Sequence, residues 1–364
     1  MSDALSEVAA GYVDEFRKHG APHFISNLET RVALRHWGDF AMPVTINDGW
    51  AGQTFLCSPR IGMIEFPKEE LVQFPNVAMR LPLRALVTAM GIATRPAQLE
   101  KIVHLNNWLL STNLPRSFDP GLAAQQTQDF VAEFPEHILA MRSLNWRHSA
   151  PLMEGLVQAG WILLPARQVF VLDDVRRQSF ATSDGKKDAR LWDRSGYEYE
   201  LSGDVEPQVA DQISLLHGDL YRGKYSQLNP AYTGAFVRMT HRLGLLRYHV
   251  FRDGAGMVRA AGGVHSSGSH CAMPILGYDL GARREEGLYR LVCHGASRYA
   301  AAHGLAYNKS SGVGAFKRNR GATAEMEYTA FYIDHLPRRR RRPFVSLSRV
   351  ARRIAVPLLE KHGL

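Results

Sequence analysis

The sequence of 364 residues contains little cysteine and lacks long uncharged apolar runs. Its three cysteines, Cys57, Cys271 and Cys293, are odd in number and far apart, which excludes a disulfide framework and a zinc cluster. We expect all three to fill the core. No run of about 18 uncharged apolar residues occurs, so no transmembrane segment is predicted. The acidic, amphipathic N-terminus does not resemble a signal peptide, so we expect a soluble, cytoplasmic protein.

Several catalytic motifs are also missing. "GVGAFK" lacks the third glycine of a dinucleotide fingerprint, "GASRY" lacks the closing glycine of a nucleophile elbow, and no P-loop occurs. His265, His270 and Cys271 have no second ligand pair at metal spacing, so we reject a metal site. We therefore predict neither a hydrolase nor an NAD enzyme, and no tightly bound cofactor.

The positive charge is concentrated at the C-terminus. Residues 337–364 contain nine basic side chains and one acidic side chain, a net +8 out of the +9 of the whole chain. Such a segment can attract a nucleic acid, an acidic carrier protein or an anionic lipid surface. The plain alternative is a solvated tail.

Periodicity in the C-terminal half predicts a fixed order of elements. A strand at 197–201 precedes two helices, and Asn229 is placed to cap the second before Pro230. Three strands of an antiparallel meander, a helix, a strand, a short helix and a long strand follow. In the N-terminal half we expect a strand, a helix and a strand over 137–174. Further strands are predicted there at three places: 43–48, 53–57 and 62–66.

This order resembles the GNAT acyltransferase fold. The segments "KYSQLNP", "LGYDL", "EGLYRLV", "NKSSGVGAFKRNRGA" and "EYTAFYIDHLP" are similar to those of the Fem-type family, tandem-GNAT proteins that include peptidoglycan-bridge aminoacyltransferases. The resemblance implies an α/β fold with mixed α+β sheets: a degenerate GNAT-like domain at 1–180, a GNAT acyltransferase domain at 195–337 and a basic tail at 338–364. A charged stretch at 174–195 would separate the two domains.

The same resemblance implies a reaction in which an amine attacks the donor carbonyl directly, without a covalent enzyme intermediate. Two parallel strands would splay to admit the donor, here "MPILGYDL" and "LAYNKSS". Lys317, in the Fem-like pattern F-K-x-x-x-G, would stabilise the oxyanion or hold a phosphate. Asp279 and Tyr278 are further candidates for orienting the amine and protonating the leaving oxygen. A soluble loop around Lys317 and a turn at Asp279 are the structural alternatives.

The donor side is predicted around the turn before the helix at 288. Coenzyme A enzymes need small residues there to cradle a pyrophosphate, whereas this chain has Tyr289 at the last position and Glu285 and Glu286 beside it. This departure favours a macromolecular donor. The predicted donor-binding residues are Arg283, Arg284, Gly287, Tyr289, Ser310, Ser311, Arg318 and Arg320. A track for a polyanion would continue through Arg338, Arg339, Arg340, Arg341 and Arg342.

The acceptor side is predicted in the connection between the two helices and on the last strand. The candidate residues are Tyr225, Ser226, Asn229, Tyr232 and Tyr332, each of which could equally be structural. Since no coiled-coil heptad run of the kind often found in peptidoglycan enzymes occurs, we expect a small acceptor.

Three functions remain open. The first is an acyltransferase whose donor is aminoacyl-tRNA or, second, acyl carrier protein, and whose acceptor is a small amine or hydroxyl compound. The second is an N-acyltransferase that uses acyl coenzyme A. The third is a non-catalytic module that binds nucleic acid or, through an amphipathic pattern at Leu347, Val350 and Ile354, an anionic membrane.

Overall fold

A computed structural model describes residues 4–50, 52–71, 77–114, 116, 118–201 and 203–350. Within these ranges eleven strands form one mixed sheet. The strands are β1 (Arg31–Trp37), β2 (Phe40–Asp48), β3 (Lys101–Leu105), β4 (Ile138–Asn145), β5 (Ile162–Leu172), β6 (Glu198–Leu201), β7 (Arg247–Arg252), β8 (Val258–Ser267), β9 (His270–Tyr278), β10 (Ala306–Asn308) and β11 (Thr323–Tyr332).

Twelve α-helices flank the sheet in the described part of the chain. They are α1 (Ala4–His19), α2 (Ala21–Phe24), α3 (Phe66–Glu70), α4 (Val77–Ala93), α5 (Ala123–Glu133), α6 (Trp146–Gln158), α7 (Ser183–Arg194), α8 (Pro207–Gly218), α9 (Gly234–Arg242), α10 (Leu288–Ala302), α11 (Gly314–Arg318) and α12 (Arg338–Val350).

The strand order shows two halves that exchange their last strands. The order is β1-β2-β3-β4-β11-β5-β10-β9-β8-β7-β6. Each half has one parallel pair, β3 with β4 and β9 with β10. The last strand of the N-terminal half, β5, lies between β10 and β11, and β11 in turn lies between β4 and β5. The halves therefore share one continuous sheet.

Helices cover both faces of the C-terminal half of this sheet. One layer joins α1 and α2 to α8 and α9 through a buried cluster that includes Phe16, Ile213 and Phe236. The other layer contains α7 and α10, whose Leu191 and Leu291 pack together with strand residues. Both layers bury apolar side chains, the main favourable contribution to folding.

The predicted order of elements in the C-terminal half is confirmed, but some details are wrong. The second helix, α9, is capped by Thr233, whose hydroxyl accepts from the Phe236 N–H at 3.3 Å. Asn229 instead donates to the Tyr221 and Ser226 carbonyls at 3.0 and 3.1 Å, so its side chain stabilises the preceding turn. The order of strands and helices survives because periodicity reports which side chains are buried, while a cap depends on local geometry.

Two predicted strands in the N-terminal half are absent from the described residues. Residues 53–57 form turns, and 62–66 belong to a helical segment that leads into α3. Ile61 and Ile64 are both buried, and three-residue spacing is helical. In a segment this short, the same apolar residues also fit the pattern of a strand, so the predicted strand at 62–66 was wrong. The charged stretch at 174–195 contains a helix, α7, as well as a connection.

Candidate active site

The strands β9 and β10 separate towards their C-terminal ends, and the space between them is called the wedge. These parallel strands pair over three residues, from His270 with Ala306 to Ala272 with Asn308. β9 continues to Tyr278, whereas β10 ends at Asn308. The next residue, Lys309, still contacts β5, because its backbone N–H donates to the Phe170 carbonyl at 2.8 Å. The wedge therefore lies between the C-terminal part of β9 and the middle of β5, at the splayed pair that the sequence predicted.

The loop after β10 has an unusual backbone. Ser310, Gly312 and Val313 have φ values of 59°, 77° and 44°. A β-branched residue is strongly disfavoured in the left-handed region, so the loop must be held there by other contacts. Lys317 supplies them, because its Nζ donates to the carbonyls of Ser310 at 3.0 Å and Ser311 at 2.7 Å. The loop therefore depends on a lysine from α11.

Lys317 lies where a catalytic lysine is predicted and is nearly inaccessible to water, with 4% of its surface exposed. Its Nζ is 5.6 Å from the centre of the Phe170 ring. Burial, with the nearby charges of Lys309 and Arg167, lowers the pKa of Lys317 to about 7. The side chain can therefore be an acid or a base near neutral pH.

Lys309 is a second buried lysine, and the sequence reasoning missed it. It is 7% exposed, and its Nζ lies 4.8 Å from the centre of the Tyr307 ring. Among the described residues its Nζ has no hydrogen-bond acceptor, and burial lowers its pKa. Because desolvation disfavours a charged amine, the neutral form of Lys309 is easier to reach than that of a lysine in water. The available signal was a lysine that directly follows the buried strand residues Tyr307 and Asn308.

A loop from the N-terminal half bridges the two walls of the wedge. The Ser111 hydroxyl donates to the Pro274 carbonyl on β9 at 3.3 Å, and the Ser111 carbonyl accepts from Arg167 on β5 at 2.8 Å. Arg167 also pairs with the buried carboxylate of Glu327 on β11, at 2.7 Å. These residues were not predicted, since only the exchanged strands bring them to the wedge.

Aromatic side chains fill the space between α10 and α11. The Tyr289 ring lies 6.0 Å from that of Tyr278 and 5.0 Å from that of Phe316, measured between centroids. The Arg320 guanidinium stacks 3.5 Å from the centre of the Phe316 ring. Tyr289 therefore packs with other aromatic residues at the position predicted to contact a donor.

The N-terminus of α10 is covered by α7. Gly287 has φ 64°, and a Cβ added there would lie 2.6 Å from a methyl carbon of Leu191. The Tyr197 hydroxyl donates to the carboxylate of Glu286. Arg283 and Arg284 remain exposed beside them. A side chain at position 287 would therefore meet α7, and a carboxylate lies beside this turn.

Of the two arginines predicted in the donor loop, one is engaged in a buried ion pair. Arg320 is 6% exposed and donates through two nitrogens to Asp188 on α7, which also accepts from Arg290. Removing either partner of such a pair leaves a buried charge, so Arg320 has a structural function. Arg318 is exposed, and its guanidinium carbon lies 5.3 Å from the centre of the Phe170 ring.

Asp279 lies at the outer end of β9 and has the contacts of a turn residue. Its carboxylate accepts from the Gly281 N–H at 2.7 Å and pairs with Arg259 at 2.9 Å. Both acceptor oxygens are therefore engaged near the surface. This placement favours the structural alternative for Asp279.

The predicted acceptor residues do not form one surface. Tyr225 is exposed, whereas the Ser226 hydroxyl accepts from the Leu228 N–H at 3.0 Å and the Tyr232 hydroxyl donates to the Leu109 carbonyl at 2.8 Å. Tyr332 stacks on His335 in the core of the N-terminal half, at the opposite end of β11 from the loop after β10. Only Tyr225 presents a polar group to solvent near the predicted position.

The arginine run forms the start of α12, and its members differ. Arg340 donates to the carbonyls of Ala97 and Glu136, and Arg341 pairs with Asp334 at 3.4 Å. The other three are exposed and have no carboxylate partner among the described residues: Arg338, Arg339 and Arg342. The amphipathic pattern predicted through Ile354 falls on side chains outside the described residues.

The remaining sequence predictions concern cysteine and metals. Cys57, Cys271 and Cys293 are all buried and free. The His265 ring contacts the backbone, and its Nδ1 lies 3.1 Å from the Leu245 carbonyl oxygen. Within the described ranges no group of three histidine, cysteine or acidic side chains could hold a metal ion.

No protein-family model and no curated protein matches the sequence. Solved structures with a similar arrangement include L-PGS from Bacillus licheniformis, at TM-score 0.45 and 11% identity over 60% of this chain and 74% of that one. FemX gives TM-score 0.44 and 9% identity over 56% and 74% of the two chains. A tandem GNAT protein from the clavulanic acid pathway gives 0.37 and 13% over 63% and 75%.

The strand order and parallel pairs decide the fold class on their own. The C-terminal half has the predicted GNAT order with its splayed pair, and the N-terminal half repeats the parallel pair, the following helix and the final strand. The fold is a tandem GNAT-like fold. The predicted fold class is thereby confirmed, and the GNAT-like wedge between β9 and β5 is the candidate active site.

Proposed function

We propose that the protein is an acyltransferase that joins an acyl or aminoacyl group from a macromolecular donor to a small amine or hydroxyl acceptor. The observation that carries the proposal is the pair of buried lysines, Lys317 and Lys309, at the open end of the splayed strands. Burying two amines is costly, and perturbed amines in a cleft are typical of functional sites.

In this proposal the donor ester carbonyl lies in the wedge beside Lys317. Two N–H groups of Lys317 are donated to the loop, and the third donates to the carbonyl oxygen as negative charge develops there. The same contacts hold the loop in its left-handed conformation. Binding and charge stabilisation thus act through one side chain.

Lys309 acts as the proton acceptor in the same scheme. Burial favours its neutral amine, which accepts the proton that the attacking amine releases as the new C–N bond forms. The tetrahedral intermediate then collapses, the C–O bond to the donor breaks, and the leaving oxygen takes that proton from Lys309. No covalent enzyme intermediate is needed.

The surroundings of the N-terminus of α10 indicate the class of donor. Leu191 packs against Gly287, and Glu286 is held there by Tyr197, so the pyrophosphate of coenzyme A would meet protein atoms and negative charge. We therefore favour aminoacyl-tRNA, followed by acyl carrier protein, over acyl coenzyme A. Arg318, which is exposed at the rim of the wedge, would contact donor phosphates.

The test is binding of the purified protein to aminoacylated and deacylated tRNA across a salt series, with acyl carrier protein and coenzyme A as parallel ligands. A salt-sensitive preference for aminoacylated tRNA is expected. Tight coenzyme A binding without a preference for charged tRNA would replace this proposal with an ordinary N-acyltransferase. The Arg318→Ala variant should weaken tRNA binding, whereas Lys224→Ala, at an exposed lysine of the C-terminal half, serves as its control.

A further inference from the structure

The helix α4 exposes an apolar face to solvent. Val77, Leu81 and Ile92 are 67%, 79% and 58% exposed, and they recur at helical spacing. Of the helix residues only Leu83 and Gly91 are buried. An exposed helix face that carries several large apolar side chains indicates an interaction surface.

This helix is long and apolar enough to cross a membrane, judged by length and composition. The stretch Val77–Ala97 passes that test although it contains arginines, which is why a search for uncharged runs did not find it. Only 17% of the stretch is buried. Length and composition alone would therefore allow Val77–Ala97 to span a membrane, contrary to the expectation from the sequence.

The topology opposes a spanning arrangement. The segment between β2 and β3 leaves and returns at the same end of these two neighbouring strands, where Asp48 pairs with Lys101. The helix also contacts the body along a narrow strip: a Cβ added to Gly91 would lie 2.9 Å from Ile64. With both ends attached to one rigid sheet, α4 can lie on a bilayer but cannot cross it.

Exposed arginines border the apolar face. Arg84 is on α4 itself, and Arg95 follows the helix in a groove that Arg339 of α12 also lines. None of these three has a carboxylate partner among the described residues. Apolar side chains flanked by arginines are the pattern of helices that lie in the plane of an anionic membrane surface.

We propose that α4 docks in the plane of an anionic lipid bilayer, inserting Val77, Leu81 and Ile92 and placing Arg84, Arg95 and Arg339 against lipid phosphates. The surface of these six residues is called the α4 surface. None of the six residues lines the wedge, so the proposal does not depend on the acyl-transfer reaction. For Arg339 it replaces the donor track that the sequence suggested.

Two other occupants fit the α4 surface less well. RNA is bound through phosphate contacts and aromatic stacking, and exposed aliphatic side chains gain nothing from it. The C-terminal residues 351–364 contain three basic side chains and one acidic side chain, a net +2, and would be repelled by the arginines. An anionic bilayer satisfies both the apolar and the cationic parts of the surface.

The test is co-sedimentation of the full chain with vesicles of phosphatidylcholine alone or mixed with phosphatidylglycerol. The protein should bind the mixed vesicles and only weakly the neutral ones. Leu81→Asp/Ile92→Asp should reduce binding to the mixed vesicles by roughly tenfold or more. Arg95→Ser/Arg339→Ser should remove most of the preference for anionic lipid, about fivefold for each arginine. Leu215→Asp, at an equally exposed leucine on α8, is the matched control and should bind as the parent does.

Three results would overturn the proposal. In the first, Leu81→Asp/Ile92→Asp binds vesicles as well as the parent. In the second, binding to a tRNA mixture depends on Arg95 and Arg339 and not on Leu81 and Ile92, which would make this an RNA surface. In the third, the full chain does not bind and deletion of 351–364 creates binding, which would show that the tail covers α4. Because the substituted side chains are exposed, every variant should keep the thermal unfolding midpoint of the parent.

Discussion

The two parallel strand pairs of the sheet have the same topology, but the residues that follow them differ in burial. Residues 106–114, which follow β3, are packed in the core, and Asn107, Trp108 and Leu109 are buried. The loop that follows β10 is strained and exposed at Gly312 and Val313. One parallel pair leads into a buried network and the other into an exposed loop.

The polar groups in these two regions also differ in their partners. Asn107 donates to Thr45 and the Leu56 carbonyl and accepts from Leu109 and Asn113, so all of its hydrogen-bonding capacity is used. Lys309 has no acceptor in the described part of the chain. A satisfied buried network stabilises a structure, whereas an amine without a protein acceptor remains available to a substrate group.

Residues next to the buried asparagine network also contact the wedge. The residues that follow the asparagine network, Ser111 and Thr112, contact Pro274 and Arg167 at the wedge. The N-terminal half is therefore a structural wall for the C-terminal site. Four substitutions test this division between a packed half and a reactive half.

The largest effect is expected for Lys317→Ala. Loss of the N–H aimed at the developing oxyanion should lower turnover by roughly 10²–10³-fold, while acceptor binding changes much less. Single-turnover acyl transfer from the preferred donor measures this. Lys224→Ala, at an exposed lysine outside the wedge, is the control. Unchanged turnover in Lys317→Ala would remove this lysine from the site.

In the packed half, Asn107→Ala should destabilise the fold by about 3 kcal/mol, because it leaves several buried polar groups unpaired. Urea unfolding measures the change. The same Lys224→Ala variant should stay within about 0.5 kcal/mol of the parent. If Asn107→Ala were equally harmless, the residues that follow β3 would not form a closed network.

The lowered pKa of Lys317, about 7, predicts a pH effect of defined sign. Between that value and the ordinary lysine range the unfolded chain binds more protons than the folded one, so stability rises with pH and falls again on acidification. Between pH 7.5 and 9 the parent should gain about 2 kcal/mol more than Lys317→Met.

Urea unfolding at the two pH values gives this difference, which cancels contributions from other titrating groups. Lys224→Met, at an exposed lysine, should follow the parent. A Lys317→Met variant whose stability changes with pH as much as that of the parent would contradict a buried, weakly basic Lys317.

The smallest effect is expected for Val313→Gly. Glycine adopts φ 44° without steric cost, so the substitution should stabilise the fold by about 1 kcal/mol. Gly312→Ala, at φ 77°, should have the opposite sign. Thermal unfolding of both variants measures these changes. A loss of stability in Val313→Gly would mean that the loop is not strained.

Local sequence patterns predicted much of the C-terminal half because burial there follows strand and helix periods. The segments of β7 to β11 and α10 lie where the patterns put them. In the candidate site, the sequence indicated the separating strands and the buried lysine of α11, and the catalytic role of Lys317 stays a prediction. Lys309 was overlooked, and Arg320 has the partner Asp188, which lies far away in sequence. Pairing between distant residues has no local signal.

The sequence by itself determined the order of elements, the tandem GNAT-like class and the position of a lysine after a glycine-rich turn, since each of these depends on neighbouring residues. Only the tertiary structure decided that the halves exchange strands, that α7 covers the N-terminus of α10, and that α4 exposes its apolar face. These features depend on which distant surfaces meet, and hydrophobic burial, being non-directional, does not specify that choice in any short segment.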